Sequence, residues 1–256
     1  MTPPTTSLSH ATPDDVLLRG RSLPREILGR ASFTQVIYFH LTGRDATAAE
    51  TAVLDACLVA LMEHGLTPSA VSARLTWGSA PEAMQGAVAA GLLGVGSVFV
   101  GASEACGQLL VRIAGASDGP GEARALVAAI RARGERVPGF GHPLHRAGDP
   151  RAARLLAIAR DHDLAGAHAA ALDLLAAAVA AEAGRPVVLN ATGAIAALLL
   201  DAGIPAEILR GIALISRCAG LVGHIREEQL SPAMPALWHG AESAVPYAGP
   251  ATGHEP

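Results

Sequence analysis

The chain has 256 residues, of which 50% are hydrophobic, 16% charged and 3% aromatic, and its formal net charge is -4. This apolar content is too high for a disordered chain and is sufficient to fill a sizeable core. The 19 basic residues, all arginine, are scattered along the chain and outnumbered by 23 acidic residues, which argues against nucleic-acid binding.

The N-terminal segment, residues 1–18, is predicted to be a loose tail. It begins with a stretch rich in Pro, Thr and Ser, and it lacks the basic start and apolar run of a signal peptide. A single helical domain is predicted for residues 19–247, followed by a second tail at 248–256. The three cysteines are isolated in apolar runs, so neither a disulfide framework nor a zinc site is expected. We therefore expect a reducing, cytoplasmic setting.

Apolar residues recur at helical spacing along nearly the whole chain, whereas few stretches alternate apolar and polar residues. The predicted fold class is therefore all-α. Three helix starts carry capping signals: Thr47 with Glu50 three residues later, Asp149 followed by proline, and Pro205. The segment after Pro232 contains several prolines and is predicted to be irregular. The predicted helices span about 47–63, 81–94, 104–114, 121–133, 150–161, 165–183, 191–201 and 205–228.

One segment is long enough in principle to cross a membrane. Ala83–Ser103 carries no charge over 21 residues. It contains Gln85 and five glycines, which lower helix propensity and contribute little transfer energy. We therefore predict a helix buried in a core or a subunit interface, and no association with a membrane.

The stretch VPGFGHPLHRAGDPR has the features of a binding loop. Gly139 and Gly141 allow the backbone before His142 to turn sharply and to approach a ligand closely. Asp149 opens a helix, and Arg151 lies in its first turn, where its charge is unfavourable unless an anion is bound. The alternative is a solvated arginine and an ordinary turn histidine. The concentration of these features within about a dozen residues favours a binding loop.

Arg217 is a second candidate for anion binding. It lies in the predicted helix 205–228, which is apolar nearly all round, and burying an unpaired guanidinium costs several kcal/mol. It should therefore pair with an internal carboxylate or a ligand. The alternative is a solvated stripe on this helix that also contains Arg210, His224 and Glu228. Because the chain has no lysine, anionic ligands must be held by guanidinium groups.

The Gly-x-Gly-His-Pro and Asp-Pro-Arg motifs resemble the signature of the citrate synthase family. The short chain is most similar to the citryl-CoA lyase branch, from about residue 19 to residue 247. The resemblance implies an all-α, citrate-synthase-like fold with a large and a small helical lobe, the small CoA-facing lobe covering about 104–190. Other matching segments are LRGRSLPREILGRASFTQVIYFHLTGR, EHGLTPSAVSAR, LNATGAIAALLLDAGIP and SRCAGLVGHIREE.

The resemblance also implies which residues bind the acid. His142 would hydrogen-bond the carbonyl oxygen of oxaloacetate, and His64 would help to hold the same four-carbon acid. Arg151 and Arg217 would grip its carboxylates through their guanidinium forks, which suit bidentate binding. Asn190 is included as a substrate-binding residue.

On the CoA side, the resemblance places Arg146 near the phosphates and makes Gly139 and Gly141 cofactor-binding positions. A CoA thioester would be a substrate, so no permanently bound cofactor is expected, and the second ligand would be a di- or tricarboxylic acid. No metal is expected, since no carboxylate or cysteine completes a set with His142 and His145. A homodimer is expected, with neither nucleic acid nor membrane as a partner.

Two positions depart from the family pattern. Synthases usually carry a histidine where this chain has Phe99, and the lyase branch tends to have phenylalanine there. The catalytic carboxylate is replaced by Thr192, in Asn-Ala-Thr rather than Asn-Val-Asp. A threonine hydroxyl cannot act as a general base near neutral pH without a partner that accepts its proton. A shifted alignment would also explain the difference, but the match of Asn190 and of Gly193–Ile195 argues against it.

Two hypotheses follow from these observations. The first is an enzyme that cleaves citryl-CoA to acetyl-CoA and oxaloacetate, or condenses them, with Thr192 as a neutral hydrogen-bond donor and His142 or His64 moving the proton. The second is a non-catalytic or altered-substrate relative that binds CoA or an organic acid as a regulator or partner subunit. The short length and Phe99 favour the first hypothesis, in the cleavage direction.

Overall fold

A computed structural model describes residues 3–96, 101–142, 145 and 148–249. Two compact units divide the chain: Met1–Leu61 with Ser97–Ala213, and Met62–Gly96 with Leu214–Pro256. The described part is mainly helical, as predicted. Its elements are strands β1 (Ser9–Ala11), β2 (Val16–Leu18) and β3 (Arg21–Ser22), and helices α1 (Phe33–Thr42), α2 (Ala48–Met62), α3 (Pro68–Ser79), α4 (Met84–Leu93), α5 (Ala102–Gly115), α6 (Gly119–Ala132), α7 (Pro150–Asp161), α8 (Ala167–Ala183), α9 (Ala191–Asp201), α10 (Leu209–Leu230) and α11 (Met234–Ala244).

The three strands form an antiparallel sheet in the order β1-β2-β3. Residues 1–18 were predicted to be a loose tail, but β1 and β2 lie within this segment, so that prediction is corrected for residues 9–18. In β1 and β2, Ser9 faces Leu18 and Ala11 faces Val16. Asp15 stabilises the turn region, because its carboxylate accepts hydrogen bonds from the Val16 amide (2.8 Å) and the Ser22 hydroxyl (2.9 Å). Strands of two or three residues are too short to show an alternating pattern, which explains why the sequence did not reveal them.

Helices α2 and α4 to α10 confirm the predicted helices to within a few residues. Helices α1, α3 and α11 were not predicted. The prediction of an irregular segment after Pro232 is wrong, because α11 begins there with a proline in its first turn, where the missing amide hydrogen of proline removes no hydrogen bond within the helix. Helix α1 begins with a capping box in which Ser32 and Gln35 bond to each other's backbone.

Helix α9 lies in the core of the first unit, where it packs against α5, α7 and α8. Ile195, Leu198 and Leu199 are almost completely buried, and nearly every other residue of α9 is buried as well. Burying each large aliphatic side chain contributes about 1.5–3 kcal/mol. The start of α9 is therefore held firmly in place. The predicted small lobe, about 104–190, falls wholly within this first unit, so the boundaries of the compact units lie elsewhere.

In the second unit, α4 packs closely against α3. A Cβ atom on Gly91 would lie 2.9 Å from the Ser69 carbonyl oxygen and 2.7 Å from Leu221, so only glycine fits there. Only Ala87 and Gly91 of α4 are buried, and Leu93 is 87% exposed, so the predicted burial of the helix within Ala83–Ser103 is seen on the face toward α3 alone, and burial in a subunit interface stays a prediction. By length and composition, the helical stretch Ala206–Leu230 could cross a membrane, but 44% of its apolar window is buried within the protein.

Candidate functional site

In the first unit, the loop that carries His142 is fixed to the start of α9. The Asn190 amide donates to the Gly139 carbonyl oxygen at 3.0 Å. The Asn190 side chain donates to the Gly141 carbonyl oxygen at 2.9 Å. A β-bridge between Phe140 and Leu189 lies between these bonds. The structure thus brings together His142, Asn190 and the two glycines that the sequence singled out.

Gly139 and Gly193 let the loop and the helix approach at backbone distance. Gly139 has φ +87°, and a Cβ atom there would lie 2.9 Å from the Gly193 Cα and 2.8 Å from the Cys106 sulfur. A Cβ atom on Gly193 would in turn lie 2.8 Å from the Gly139 carbonyl oxygen. Gly139 therefore has a packing role, and its role in CoA binding stays a prediction.

Asp149 connects the starts of α7 and α9. Its side chain is completely buried and accepts hydrogen bonds from the Arg151 guanidinium (3.1 and 2.9 Å) and from the Ala191 amide (2.9 Å). Burial by itself would raise the pKa of Asp149, but the bonds from Arg151 and Ala191 outweigh it and lower the pKa to about 2. The sequence indicated a helix cap here but gave no sign of the contact with Ala191.

The hydrogen bonds around His142 determine which ring nitrogen carries the proton. The backbone amide of His145 donates to Nδ1 of His142 at 3.0 Å, which assigns the hydrogen of the neutral ring to Nε2. Nη2 of Arg151 lies 3.4 Å from that Nε2. Because arginine can only donate, this contact is a hydrogen bond only in the other tautomer, which has the ring hydrogen on Nδ1. In the tautomer with the hydrogen on Nε2, an oxygen atom of a carboxylate or carbonyl group could accept hydrogen bonds from both residues.

Thr192 lies half-buried in the first turn of α9, next to the amide held by Asp149. Asp149 is a poor substitute for the missing carboxylate. Its side chain is buried, its oxygens accept hydrogen bonds from Arg151 and Ala191, and its pKa is about 2. A carboxylate in that state takes up a proton weakly at neutral pH.

The second unit contains His64 and Arg217. His64 lies two residues after the end of α2, in a turn whose amides at His64 and Gly65 donate to the Glu63 carboxylate at 2.7 and 2.6 Å. Arg217 is half-buried on α10, and among the described residues its Nη1 atom has no hydrogen-bond partner. Burial lowers the pKa of Arg217, while the nearby charge of Glu63 raises it.

The solvated stripe proposed as an alternative for α10 is not observed. His224 is 9% exposed and Glu228 is 3% exposed. Arg74, on α3, donates to Nδ1 of His224 (3.1 Å) and to Glu228 (2.9 Å), and it also pairs with Glu227. The charged residues of this helix are thus partly internal, as the cost of burying unpaired charge requires.

Arg146 and Phe99 lie outside the described residues, so the CoA-phosphate contact stays a prediction. Within the described ranges, no three His, Cys, Asp or Glu side chains are grouped to hold a metal ion. A cavity of about 220 Å³ in the first unit is lined by residues between Arg21 and Ala46, apart from the predicted site residues. The guanidinium of Arg21 at this cavity is bonded to Asp45 through two hydrogen bonds (2.7 and 2.6 Å).

Comparison with known sequences identifies one family. Residues 18–235 match the profile described as "Citrate synthase, C-terminal domain". The chain is 28% identical over 215 residues to "Putative citrate synthase 2" of Mycobacterium tuberculosis, covering 81% of this chain and 56% of that protein. It is 27% identical over 201 residues to the citrate synthase of Acidithiobacillus ferridurans, covering 74% and 50%. The chain thus spans about half the length of these curated relatives.

Comparison with solved structures gives a match over almost the full length of both chains. The citryl-CoA lyase of Hydrogenobacter thermophilus superposes with a TM-score of 0.87 at 30% identity, covering 98% of this chain and 97% of that one. The ATP citrate lyase of Methanothrix soehngenii, solved with citrate and coenzyme A, gives a TM-score of 0.81 at 20% identity, covering 98% and 43%. At that identity the second match shows the shared fold alone.

Proposed function

This chain belongs to the citrate synthase family, and from that premise we propose that it acts on a CoA thioester, cleaving citryl-CoA to acetyl-CoA and oxaloacetate. The match to a citryl-CoA lyase over almost the full length of both chains supports the cleavage direction. The condensing direction, as in a citrate synthase, is the reverse of the same reaction. We further propose a cytoplasmic homodimer that needs neither a metal nor a permanently bound cofactor.

The observation that carries this proposal is the pair of donors formed by His142 and Arg151, 3.4 Å apart. When the carbon-carbon bond of citryl-CoA breaks, the carbon that bore the hydroxyl becomes the carbonyl carbon of oxaloacetate. As the hydroxyl gives up its proton, negative charge develops on that oxygen, and a preorganised donor stabilises the charge. The electron pair of the broken bond passes to the acetyl thioester, whose carbon then takes up a proton, so that overall one proton moves from the hydroxyl oxygen to the methyl group of acetyl-CoA. We assign the Nε2 hydrogen of His142 to this oxygen and the guanidinium of Arg151 to a carboxylate of the acid.

The remaining roles follow the family resemblance. Asn190 already uses its side-chain oxygen for the Gly193 amide and its side-chain nitrogen for the Gly141 carbonyl, so one hydrogen of that nitrogen is left for substrate. In the second unit, His64 and Arg217 are assigned to acid binding. Arg146 is assigned to the CoA phosphates, and Gly139 and Gly141 to the CoA-binding loop.

Thr192 is proposed to act as a neutral hydrogen-bond donor. Cleavage also requires a group that accepts the hydroxyl proton. His142 can accept it at Nε2 only if its own hydrogen moves to Nδ1, which would break the bond from the His145 amide. His64 is the other histidine predicted for this role, and a comparison of substitutions at His142, His64 and Thr192 separates these routes.

The direct test is a coupled assay in which oxaloacetate released from citryl-CoA is reduced by malate dehydrogenase and NADH is followed. We expect the wild type and Thr192→Ala to cleave citryl-CoA. His142→Ala should lower kcat by about 100-fold or more, as does the loss of an oxyanion donor in other enzymes. Arg151→Lys should raise KM because the bidentate fork is lost. The exposed Arg154→Lys is the matched control on α7.

A non-catalytic or altered-substrate relative is the second candidate, favoured by the threonine at position 192 and the hydrogen-bonded state of Asp149. Such a protein would bind CoA or oxaloacetate in calorimetry without turnover of citryl-CoA in either direction. If Thr192→Asp then gained activity, the loss of the base would be established. An absence of both binding and turnover in the wild type and in Thr192→Asp would contradict both candidates.

A further inference from the structure

Glu63, the first residue after α2, belongs to the second unit and organises the turn that carries His64. Its carboxylate accepts hydrogen bonds from the amides of His64 (2.7 Å) and Gly65 (2.6 Å), and Gly65 has φ +72°. It also contacts Nε2 of His224 at 3.0 Å. Three donors from two parts of the chain therefore converge on one carboxylate that is 44% exposed. The position of the His64 backbone depends on this side chain.

A buried chain of polar contacts fixes the orientation of Glu63. Arg74 donates through Nε to Nδ1 of His224, so the hydrogen of the neutral ring is on Nε2, where it is donated to Glu63. The side chain of Arg74 is 4% exposed and that of Glu228, which accepts its second bond, is 2% exposed. The other oxygen of Glu228 accepts the amides at the start of α11, at 2.7 and 2.8 Å. Because each member is held by the next, the ring of His224 has one favoured orientation.

Glu63 also influences Arg217 electrostatically. Arg217 is half-buried, its Nη1 atom has no hydrogen-bond partner among the described residues, and burial makes its charge unfavourable. The negative charge of Glu63 opposes that effect. The guanidinium therefore keeps its charge and retains donors that a ligand carboxylate can occupy.

We propose that Glu63 is a positioning residue, which holds the His64 turn and supports the charge of Arg217 so that the second unit binds a carboxylate of the acid substrate. The proposal rests on the proposed function, because it assumes that His64 and Arg217 bind that acid. Glu63 acts through these two residues and has no role in bond cleavage. His224 and Arg74 keep Glu63 in place.

Two substitutions at Glu63 separate its hydrogen bonds from its charge. Glu63→Gln keeps an oxygen that can accept the amides of the turn but removes the charge, whereas Glu63→Ala removes both. Glu82→Gln is the matched control, since it removes one carboxylate charge at an exposed position of the second unit, outside the contacts of Glu63, His224 and Arg74 given above. The full chain is used throughout, and far-UV circular dichroism confirms that each variant is folded.

Oxaloacetate is the probe, titrated into each variant by calorimetry, and amide hydrogen exchange reports on the segment that contains His64. We expect Glu63→Gln to weaken oxaloacetate binding about tenfold and Glu63→Ala to weaken it further. Exchange in the segment should rise in Glu63→Ala and change little in Glu63→Gln, and Glu82→Gln should bind within about twofold of the wild type.

The outcomes distinguish a failure of the positioning role of Glu63 from a failure of the proposed function. Binding by Glu63→Gln and Glu63→Ala within twofold of the wild type would overturn the positioning role and leave the proposed function standing. A loss in Glu82→Gln equal to that in Glu63→Gln would also overturn it, since the effect would then come from net charge. If the wild type failed to bind oxaloacetate, the proposed function would fall first, and the positioning role with it.

Discussion

At the scale of single residues, a buried carboxylate fixes the geometry of the candidate site. Asp149 caps α7, orients the guanidinium of Arg151 and bonds to the Ala191 amide at the start of α9. Local parts of this arrangement are visible in sequence, because a glycine-rich loop and an Asp-Pro-Arg cap lie within a few residues. The bond to Ala191 joins residues 42 positions apart, and no local pattern specifies such a contact. Glu63 and His224 are 161 positions apart and were missed for the same reason.

Replacing Asp149 by asparagine is expected to destabilise the protein. The neutral amide would leave Arg151 without its charged partner and place hydrogens where the Ala191 amide points. Removing one partner of a buried ion pair costs about 3 kcal/mol or more. The free energy of unfolding, measured by urea titration, gives the loss directly. Asp161→Asn, whose carboxylate is 68% exposed, should change stability by less than about 0.5 kcal/mol, and equal losses in the two variants would contradict the assignment.

The two loop glycines are expected to respond differently to alanine. Both have φ near +85°, which costs a side chain about 1 kcal/mol. A Cβ atom on Gly139 would in addition press on Gly193 and Cys106, whereas one on Gly141 would meet nothing within 4 Å. Overpacking costs a further 1–3 kcal/mol, so Gly139→Ala should be the less stable variant in urea unfolding by about that amount. Equal stabilities would show that the close approach of loop and helix is not rigid.

At the scale of elements, the comparison of α9 with α3 shows what the apolar pattern can and cannot predict. Helix α9 is apolar throughout and its predicted span agrees with the structure. The buried positions of α3 include Ser69 and Arg74, so its sequence shows no apolar stripe. The cost of burying the polar side chain of Arg74 is offset by hydrogen bonds to His224 and Glu228. These residues are distant along the chain, and the sequence alone does not show that they lie near Arg74.

Helix α8 depends on a cap supplied by another helix. Asp201, at the end of α9, accepts the amides of Gly166 (2.8 Å), His168 (2.9 Å) and Ala169 (3.0 Å) at the start of α8. A local cap usually satisfies one amide, as Asp118 does for Gly121 at 2.9 Å. Asp201 is 4% exposed and its hydrogen bonds join α9 to α8. Its loss therefore removes the cap of α8 and also a contact that holds the two helices together.

We therefore expect Asp201→Ala to cost about 2–4 kcal/mol in unfolding free energy, against about 1 kcal/mol for the matched variant Asp118→Ala. Hydrogen exchange provides the more specific measurement, because protection should fall in the first turn of α8 for one variant and of α6 for the other. If both variants lost similar stability, the cap from α9 would be no stronger than a local one.

At the scale of the whole molecule, the chain has arginine but no lysine, and buried carboxylates such as Glu50 and Asp149 form their ion pairs with arginine. Glu50 bonds to two nitrogens of Arg44 (2.9 and 2.6 Å) and to the hydroxyl of the fully buried Tyr38 (3.1 Å). The single hydroxyl hydrogen of Tyr38 is shared between Glu50 and the Ala202 carbonyl oxygen, which lies at 2.8 Å and ties α1 to the end of α9. Composition indicates that guanidinium groups must hold anions, but it does not show which of them serve folding and which serve a ligand.

The pH dependence of stability separates the folding role from the ligand role. Hydrogen bonds from Arg44 lower the pKa of Glu50 from 4.5 to about 2, and the pKa of Asp149 is also lowered to about 2. A carboxyl whose pKa is lower in the folded state stabilises it fully above the unfolded pKa, and that contribution is lost as the pH falls through the folded pKa. We expect a loss of roughly 2 kcal/mol for each group between about pH 4.5 and pH 2.

Glu50→Gln should therefore unfold more easily than the wild type at pH 7, and the difference should shrink as the pH is lowered toward 2. Urea unfolding at pH 7, 4 and 3 measures both effects, with Glu182→Gln, at an exposed position of α8, as the control. On the alkaline side, burial raises the pKa of Tyr38 to about 12, so stability should fall again above about pH 10 because the buried phenol resists ionisation. A wild-type stability that stayed constant from pH 5 to pH 3 would show that the bonds of Glu50 and Asp149 do not hold the folded chain together.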